Sequence, residues 1–215
     1  MSEIIEEIYP QNKLAVLSGP NFSSEVISGK PTACVISTRN DKRIQEEISG
    51  IFSKKIFRTY FNSDIVGTQV GGAMKNVIAI ACGIIKGKKL GNNALAAIIT
   101  RGLSEIVELG VKMGAKQETF FGLSGIGDLT LTCSSLKSRN TQLGYFLANP
   151  SKRVASKFKE KNVIEGIDSC KSICQLGKKY NVELPICNSV KFVLDGKDLS
   201  KVINDLLSRP LQFEN

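Results

Sequence analysis

Apolar and polar positions follow two different rhythms along this chain, with the change near residue 63. Before it, short apolar runs alternate with turn signals. Leu14-Ala15-Val16-Leu17-Ser18, closed by Gly19-Pro20, reads as a buried strand ending in a turn. Phe22 to Ile27 predicts a short helix stopped by Gly29 and Pro31, and Thr32 to Ser37 a second strand. Asp41 to Phe52 has the pattern of an amphipathic helix and Lys55 to Phe61 that of a third strand. Strands alternating with helices predict a piece of an α/β sheet. Three strands in about 60 residues are fewer than a doubly wound nucleotide-binding domain needs, and no Gly-x-Gly-x-x-Gly follows an initial strand.

After residue 63 the period is helical. Ile65, Val66, Val70, Ala73, Val77, Ile80, Ala81 and Ile84 recur at spacings of three and four, which predicts a long helix with one buried face. A second helix runs from Ala94 to Met113, capped by Asn92 or Asn93 and stopped by Gly114; its Arg101 and Glu105 are four apart, placed to pair. A glycine-punctuated stretch, Gly122 to Leu129, precedes a helix that starts near Ser138 and reaches Leu147. Val163 to Tyr180, Ile186 to Leu194 and Asp198 to Leu207 read as three packing helices. The expectation is a mainly α protein preceded by a partial α/β segment, with one domain over 1–63 and another over 64–215.

Composition narrows the function. With 42% hydrophobic and 23% charged residues over 215 positions, the chain has the makeup of an ordinary globular protein. No uninterrupted apolar run approaches the 18 residues of a membrane span, and the acidic start Glu3, Glu6, Glu7 lacks a signal peptide's basic region, so a cytoplasmic location is expected. There is no histidine, which removes Ser-His-Asp and Cys-His chemistry and leaves acid–base work to lysine, aspartate or glutamate. The six cysteines lack metal-ligand spacing, and no metal is expected; Cys170 and Cys174, on one face if 162–180 is helical, read as small buried residues. The net charge of +9 is dispersed, densest at Lys152, Arg153, Lys157, Lys159 and Lys161, without a recognition helix or stacking motif, so no nucleic-acid partner is expected.

Three places stand out as candidate chemistry. Lys75 and Asn76 interrupt the long apolar helix and have no acidic residue three or four positions away, so neither is half of a surface helix pair. The bland reading is a lysine snorkelling to solvent. Gly71 and Gly72 fit where another backbone or a ligand comes close. Asp128 is the one charge in Gly122–Leu129; it could serve catalysis or cap the next turn. Ser138-Arg139-Asn140 combines free N–H groups at a helix start with a guanidinium fork, the makings of a phosphate site, although Ser-x-Asn also caps many helices.

Taken together, Ser18-Gly19-Pro20-Asn21-Phe22, Gly71 to Ala79, Thr100 to Glu105, Gly122 to Leu129 with Thr132-Cys133, Ser138-Arg139-Asn140 and Val163-Ile164-Glu165-Gly166 resemble, in order and spacing, bacterial NAD(P)-dependent glycerol-3-phosphate dehydrogenase. The resemblance covers this whole chain and the family's C-terminal two thirds; the glycine-rich nucleotide-binding start has no counterpart here. It implies a helical substrate domain like the C-terminal domain of 6-phosphogluconate dehydrogenase, preceded by the tail of a Rossmann domain.

The resemblance also implies roles. Lys75 falls on the catalytic lysine, which would move the proton of the reacting hydroxyl; a lysine whose usual pKa of about 10.4 is lowered by desolvation can act as both base and acid. Gly19, Asn21, Asn76, Asp128, Thr132, Ser138, Arg139 and Asn140 would meet the substrate, glycerol 3-phosphate or dihydroxyacetone phosphate. Ser23, Arg139, Val163 and Glu165 would meet NAD or NADP as cosubstrate. Asn21 replaces the family's Thr or Ser, and Ser23 its usual alanine. The activity serves glycerophospholipid precursor synthesis; the alternative is a non-catalytic remnant, or the substrate half of a split enzyme that binds glycerol phosphate without turnover. The implied partners are the small-molecule substrate, a separate N-terminal half and a second copy of the chain. An apolar face where the family's missing segment packs is expected to be exposed.

Overall fold

The computed structural model describes residues 1–39, 41–52, 55–149 and 152–210. Compactness divides the chain into two units, one of Met1–Gly72 with Gly110–Leu131 and one of Ala73–Leu109 with Thr132–Asn215. The division therefore differs from a cut at residue 63, because two long helices, α4 (Ile65–Gly87) and α5 (Asn92–Lys112), contribute to both units.

The first unit is built on a three-stranded sheet in the order β1 (Ala15–Ser18), β2 (Thr32–Thr38), β3 (Phe57–Asn62). β1 runs antiparallel to β2, and β2 runs parallel to β3 through the crossover helix α3 (Lys42–Phe52). β2 is the apolar centre: Cys34, Val35, Ile36, Ser37 and Thr38 are all buried, as a strand covered on both faces requires. Leu17, Ile36 and Phe61 form one cross-strand row in which Leu17 and Phe61 are 41% and 49% exposed while Ile36 between them is fully buried. Two short helices, α1 (Ser2–Ile8) and α2 (Ser23–Ile27), flank β1. α1 buries none of its residues, although Ile4, Ile5 and Ile8 stand at helical spacing.

Asp64 organises the rest of this unit. Its buried carboxylate accepts from Gly67 N at 2.8 Å, closing the first turn of α4, and from Lys116 N and Thr119 Oγ1 at 2.8 Å each, anchoring the 3₁₀ turn Gln117–Phe121. Gly71 lies against that region. A Cβ there would come within 2.6 Å of the Ser124 carbonyl oxygen, which accounts for the glycine in an otherwise apolar helix.

The second unit is all helix: the later turns of α4, most of α5, then α7 (Arg139–Leu147), α8 (Lys152–Lys161), α9 (Glu165–Tyr180), α10 (Pro185–Leu194) and α11 (Leu199–Leu207). A short α6 (Asp128–Ser134) precedes α7. α4 is its core. Met74, Val77, Ile78, Ala79, Ile80 and Cys82 have no exposed surface, so the helix is enclosed on most sides over this stretch; the single buried face expected from periodicity is too narrow, and Val66, counted on that face, is 37% exposed. Ile65–Gly87 is also long and apolar enough to cross a membrane, although Lys75 and Asn76 interrupt its apolar run; 72% of that window is buried, as in a core helix. α7 crosses α4 backbone to backbone: a Cβ on Gly144 would sit 2.0 Å from Ile80 O, and one on Gly83 2.1 Å from Thr141 O.

Other expectations are corrected here. α5 starts at Asn92, so Asn92 and Asn93 occupy its first turn instead of capping it. Glu105 turns away from Arg101 into the core and takes the N-terminus of α10, as described below. α8 forms over the basic cluster and packs on α7 through Phe158 and Phe146, rings edge to face at 5.1 Å. The side chains of Lys152 and Arg153 lie outside the described residues.

Candidate functional site

Eight of the predicted residues belong to the second unit, most of them around the starts of α7 and α9. Ser138 is the N-cap of α7: its Oγ accepts from Thr141 N at 3.3 Å, leaving Arg139, exposed, as the first helical residue. Thr141 is tied back to α6, donating its hydroxyl to the Thr132 carbonyl at 2.7 Å; through this bond the backbone of Thr132 fixes the turn that presents Arg139.

Asn140, buried next to Arg139, uses both its amide nitrogen and its amide oxygen. Its Nδ2 donates to Asn76 Oδ1 at 2.9 Å, and its Oδ1 accepts from Gly166 N at 2.9 Å. Asn76 in turn donates to the Glu165 carboxylate at 3.1 Å. Three helices thus meet through one chain of side-chain amides: α4 through Asn76, α7 through Asn140, α9 through Glu165 and Gly166. Gly166 is required there, since a Cβ would lie 2.5 Å from Asn140 Oδ1 and 2.9 Å from Asn76 O. Lys75 is half-buried on α4, immediately before Asn76. Val163, 76% exposed, stands at the entrance to α9, while Ile164 beside it is buried.

The remaining predicted residues belong to the first unit. Gly19 follows β1 with φ +129°, and a Cβ there would lie 3.0 Å from Cys34 Cα, a conformation and a closeness that call for glycine. Asn21 is half-buried, and Ser23 is exposed at the first position of α2. Asp128 is 3% exposed and already helical, with φ −72° and ψ −36°; it opens α6 and is not its cap. The preceding residues Leu123–Gly127 form a wide turn in which Gly125 takes the non-helical pair φ −105°, ψ −106°.

No group of three or more His, Cys, Asp or Glu side chains is arranged for a metal ion among the described residues. A strongly perturbed carboxylate lies elsewhere. Glu105, 5% exposed, accepts from Ile186 N at 2.5 Å and Cys187 N at 3.2 Å, the first free N–H groups of α10. Burial raises its carboxyl from 4.5 to about 7, and the two N–H groups and the Cys187 thiol only partly offset this. A partner 81 residues away leaves no trace in local spacing, so Glu105 was read as half of a helix pair.

Residues 64–204 match the family model for the C-terminus of NAD-dependent glycerol-3-phosphate dehydrogenase, and residues 1–44 match the model for its N-terminus. The chain belongs to this family. Glycerol-3-phosphate dehydrogenase [NAD(P)+] of Rhodospirillum rubrum is 43% identical over 215 residues, and that of Fusobacterium nucleatum 45% over 218. In both cases the match takes in all of this chain but 61% and 64% of the relative, so the chain spans about three fifths of the length of these dehydrogenases. The crystal structure of the Coxiella burnetii glycerol-3-phosphate dehydrogenase superimposes with a TM-score of 0.91 at 36% identity, covering 97% of this chain and 64% of that one. The mainly α fold with a small preceding sheet is therefore that of the dehydrogenase family.

Proposed function

We propose that this chain carries the substrate-binding and catalytic portion of a glycerol-3-phosphate dehydrogenase, interconverting sn-glycerol 3-phosphate and dihydroxyacetone phosphate with NAD or NADP as cosubstrate. Residues 1–63 are read as the residual part of a dinucleotide-binding domain and 64–215 as the substrate domain. The observation that carries the reading is the amide chain Glu165–Asn76–Asn140–Gly166, flanked by Lys75 on one side and Arg139 on the other. It joins a proton-transfer group, an oxyanion-binding helix start and a carboxylate.

Lys75 takes the proton from the substrate's carbon-2 hydroxyl in oxidation and returns it to the ketone oxygen in reduction. Arg139, with the N–H groups at the start of α7, holds the phosphate through its guanidinium fork. Ser138 and Asn140 are engaged in shaping that turn, so their part in phosphate binding is largely to hold Arg139 and the backbone in place. Glu165, held by Asn76, and Val163 would hold the nicotinamide end of the dinucleotide. The nicotinamide, when bound, accepts or supplies the hydride at carbon 2. What the residues present fit is that one end; a glycine-rich pyrophosphate turn is not among the 215 residues. Gly19, Asn21, Asp128 and Thr132 as substrate contacts, and Ser23 as a cofactor contact, rest on the family resemblance alone. A cytoplasmic location and a homodimer belong to the same proposal, the latter decided by light scattering of the purified chain.

The test follows NADH and NADPH absorbance with dihydroxyacetone phosphate, using the chain alone and mixed with a family N-terminal domain. Turnover that disappears in Lys75→Ala, together with glycerol 3-phosphate binding that survives Lys75→Ala but is lost in Arg139→Ala, supports the assignment. Turnover that survives Lys75→Ala removes Lys75 from the chemistry. Phosphate binding indifferent to Arg139 removes the phosphate site.

A further inference from the structure

Cations are spread along the whole chain, but their excess over acids is not. Residues 86–89 and 137–161 hold ten lysines and arginines and one glutamate, a net +9. That equals the formal charge of all 215 residues, leaving 19 of the 29 cations against 19 of the 20 acids everywhere else. A general bias towards lysine would have made every segment basic. The excess belongs to one part of the molecule.

The second unit joins these two segments. Lys86, in the last turn of α4, donates to the Ser134 carbonyl at 2.9 Å at the end of α6, and Gln142 of α7 donates to the Leu136 carbonyl just beyond. A Cβ on Gly87 would lie 2.5 Å from Ala148 Cβ and 2.7 Å from Tyr145 O, so the end of α4 rests on the end of α7. α8 covers α7 through Phe158 and Phe146. The end of α4, the α6–α7 turn, α7 and α8 are therefore contiguous. Lys88, Lys89, Lys157 and Lys161 are exposed and form no ion pair among the described residues. Lys157 and Lys161 stand one turn apart, where like charges destabilise a helix until an anion comes between them.

Apolar side chains stand among these charges. Leu90 and Leu136 are 45% exposed, Tyr145 and Val154 40%, one from each of the four contiguous pieces. Val154, Lys157 and Lys161 recur at spacings of three and four and form a single exposed stripe of α8. A nucleic acid would satisfy the lysines and leave Leu90, Leu136 and Val154 facing charge and water. An anionic bilayer satisfies both kinds: headgroup phosphates take the ammonium groups, and apolar tips enter the boundary between headgroups and acyl chains.

We propose that this face of the second unit binds peripherally to a membrane surface rich in anionic phospholipid. The chain lies on that surface and does not span it. The contact uses none of the proposed dehydrogenase chemistry, so binding is read without turnover.

The test sediments the purified chain with sucrose-loaded vesicles of phosphatidylcholine, alone or with about one third phosphatidylglycerol, at about 0.1 M and about 0.5 M salt. Binding to the anionic vesicles should be at least about tenfold tighter than to the neutral ones and should weaken as salt rises. Lys88→Gln, Lys89→Gln, Lys157→Gln and Lys161→Gln should each weaken it about fivefold. Leu90→Ser and Leu136→Ser should weaken it while leaving its salt dependence unchanged, and Lys112→Gln and Lys201→Gln, exposed but outside the two segments, should leave it as it is. Arg139 is kept intact throughout, since the proposed phosphate site uses it. Sedimentation with neither vesicle, equal binding to both, or equal losses in the Lys112 and Lys201 variants overturns the proposal. Duplex DNA that strips the chain from vesicles at equal phosphate concentration assigns the face to nucleic acid and overturns it as well. The wild-type comparison of the two vesicles decides even where a variant misfolds.

Discussion

Glu105 should make the stability of this protein depend on pH in a direction opposite to that of most carboxylates. Its folded pKa of about 7 lies above the usual 4.5, because burial disfavours the ion more than the α10 N–H groups favour it. An acid with a raised folded pKa holds its proton more tightly in the native state. Its contribution is fully present below pH 4.5 and is lost as pH rises through 7. At about 1.4 kcal/mol per unit, the shift corresponds to roughly 3 kcal/mol between the two ends of that window. The assay is urea unfolding of the wild type and Glu105→Gln across the range, taking the difference so that other titrating groups cancel. The wild type should exceed the variant at the acidic end, where the neutral carboxyl satisfies both Ile186 N and Cys187 N while the amide leaves one of them facing an N–H donor. That advantage should shrink by roughly 3 kcal/mol towards about pH 8. A difference that is flat, or that grows with pH, would refute the burial argument for Glu105.

The α4–α7 crossing predicts that Gly144→Ala loses roughly 2–4 kcal/mol by urea unfolding, because the new Cβ meets only backbone, Ile80 O at 2.0 Å and Ile84 N at 2.9 Å. Gly50→Ala on α3, where nothing lies within 4 Å, should instead gain about 0.5–1 kcal/mol from helix propensity; an equal response of the two variants would contradict the steric account. Asp64→Ala removes the partner of the buried Gly67 N–H, the part-buried Lys116 N–H and the Thr119 hydroxyl and should cost roughly 2–4 kcal/mol, with faster hydrogen exchange at Gly67 and Lys116 as the local sign. Asn140→Ala leaves Gly166 N and Asn76 Oδ1 without this partner and should cost roughly 1–3 kcal/mol while weakening glycerol 3-phosphate binding; calorimetry showing unchanged binding would detach Asn140 from the phosphate turn.

How much was legible in the sequence depended on the range of each interaction. β2 was readable because a strand covered on both faces is apolar at nearly every position, and α7 because Ser138 caps it within three residues. The start of α9 was placed near Val163, within two residues of Glu165, from a motif whose partners are far away. What escaped was long-range or little buried. α1 buries nothing, and α8 is dominated by lysines. The enclosure of α4 beyond one face depends on helices that return 60 to 100 residues later, and Glu105 finds its N–H donors only after α10 has folded beside α5. Lys75 and Asn76 stood out in the sequence as residues unexplained by their own helix, and Ser138-Arg139-Asn140 as a helix start suited to an oxyanion. That Asn76 and Asn140 bind each other could be seen only in three dimensions.

At the crossing of α4 and α7 no side chain lies between the two backbones, so there is no rotamer there to adjust and no layer to shear. Sliding either helix by a residue would drive a Cβ into a carbonyl. The start of α7, with Arg139, is therefore fixed to the segment of α4 that follows Lys75 with the stiffness of the main chain itself. A ligand that engages both groups finds their spacing already set, and little configurational entropy is left for it to remove on binding.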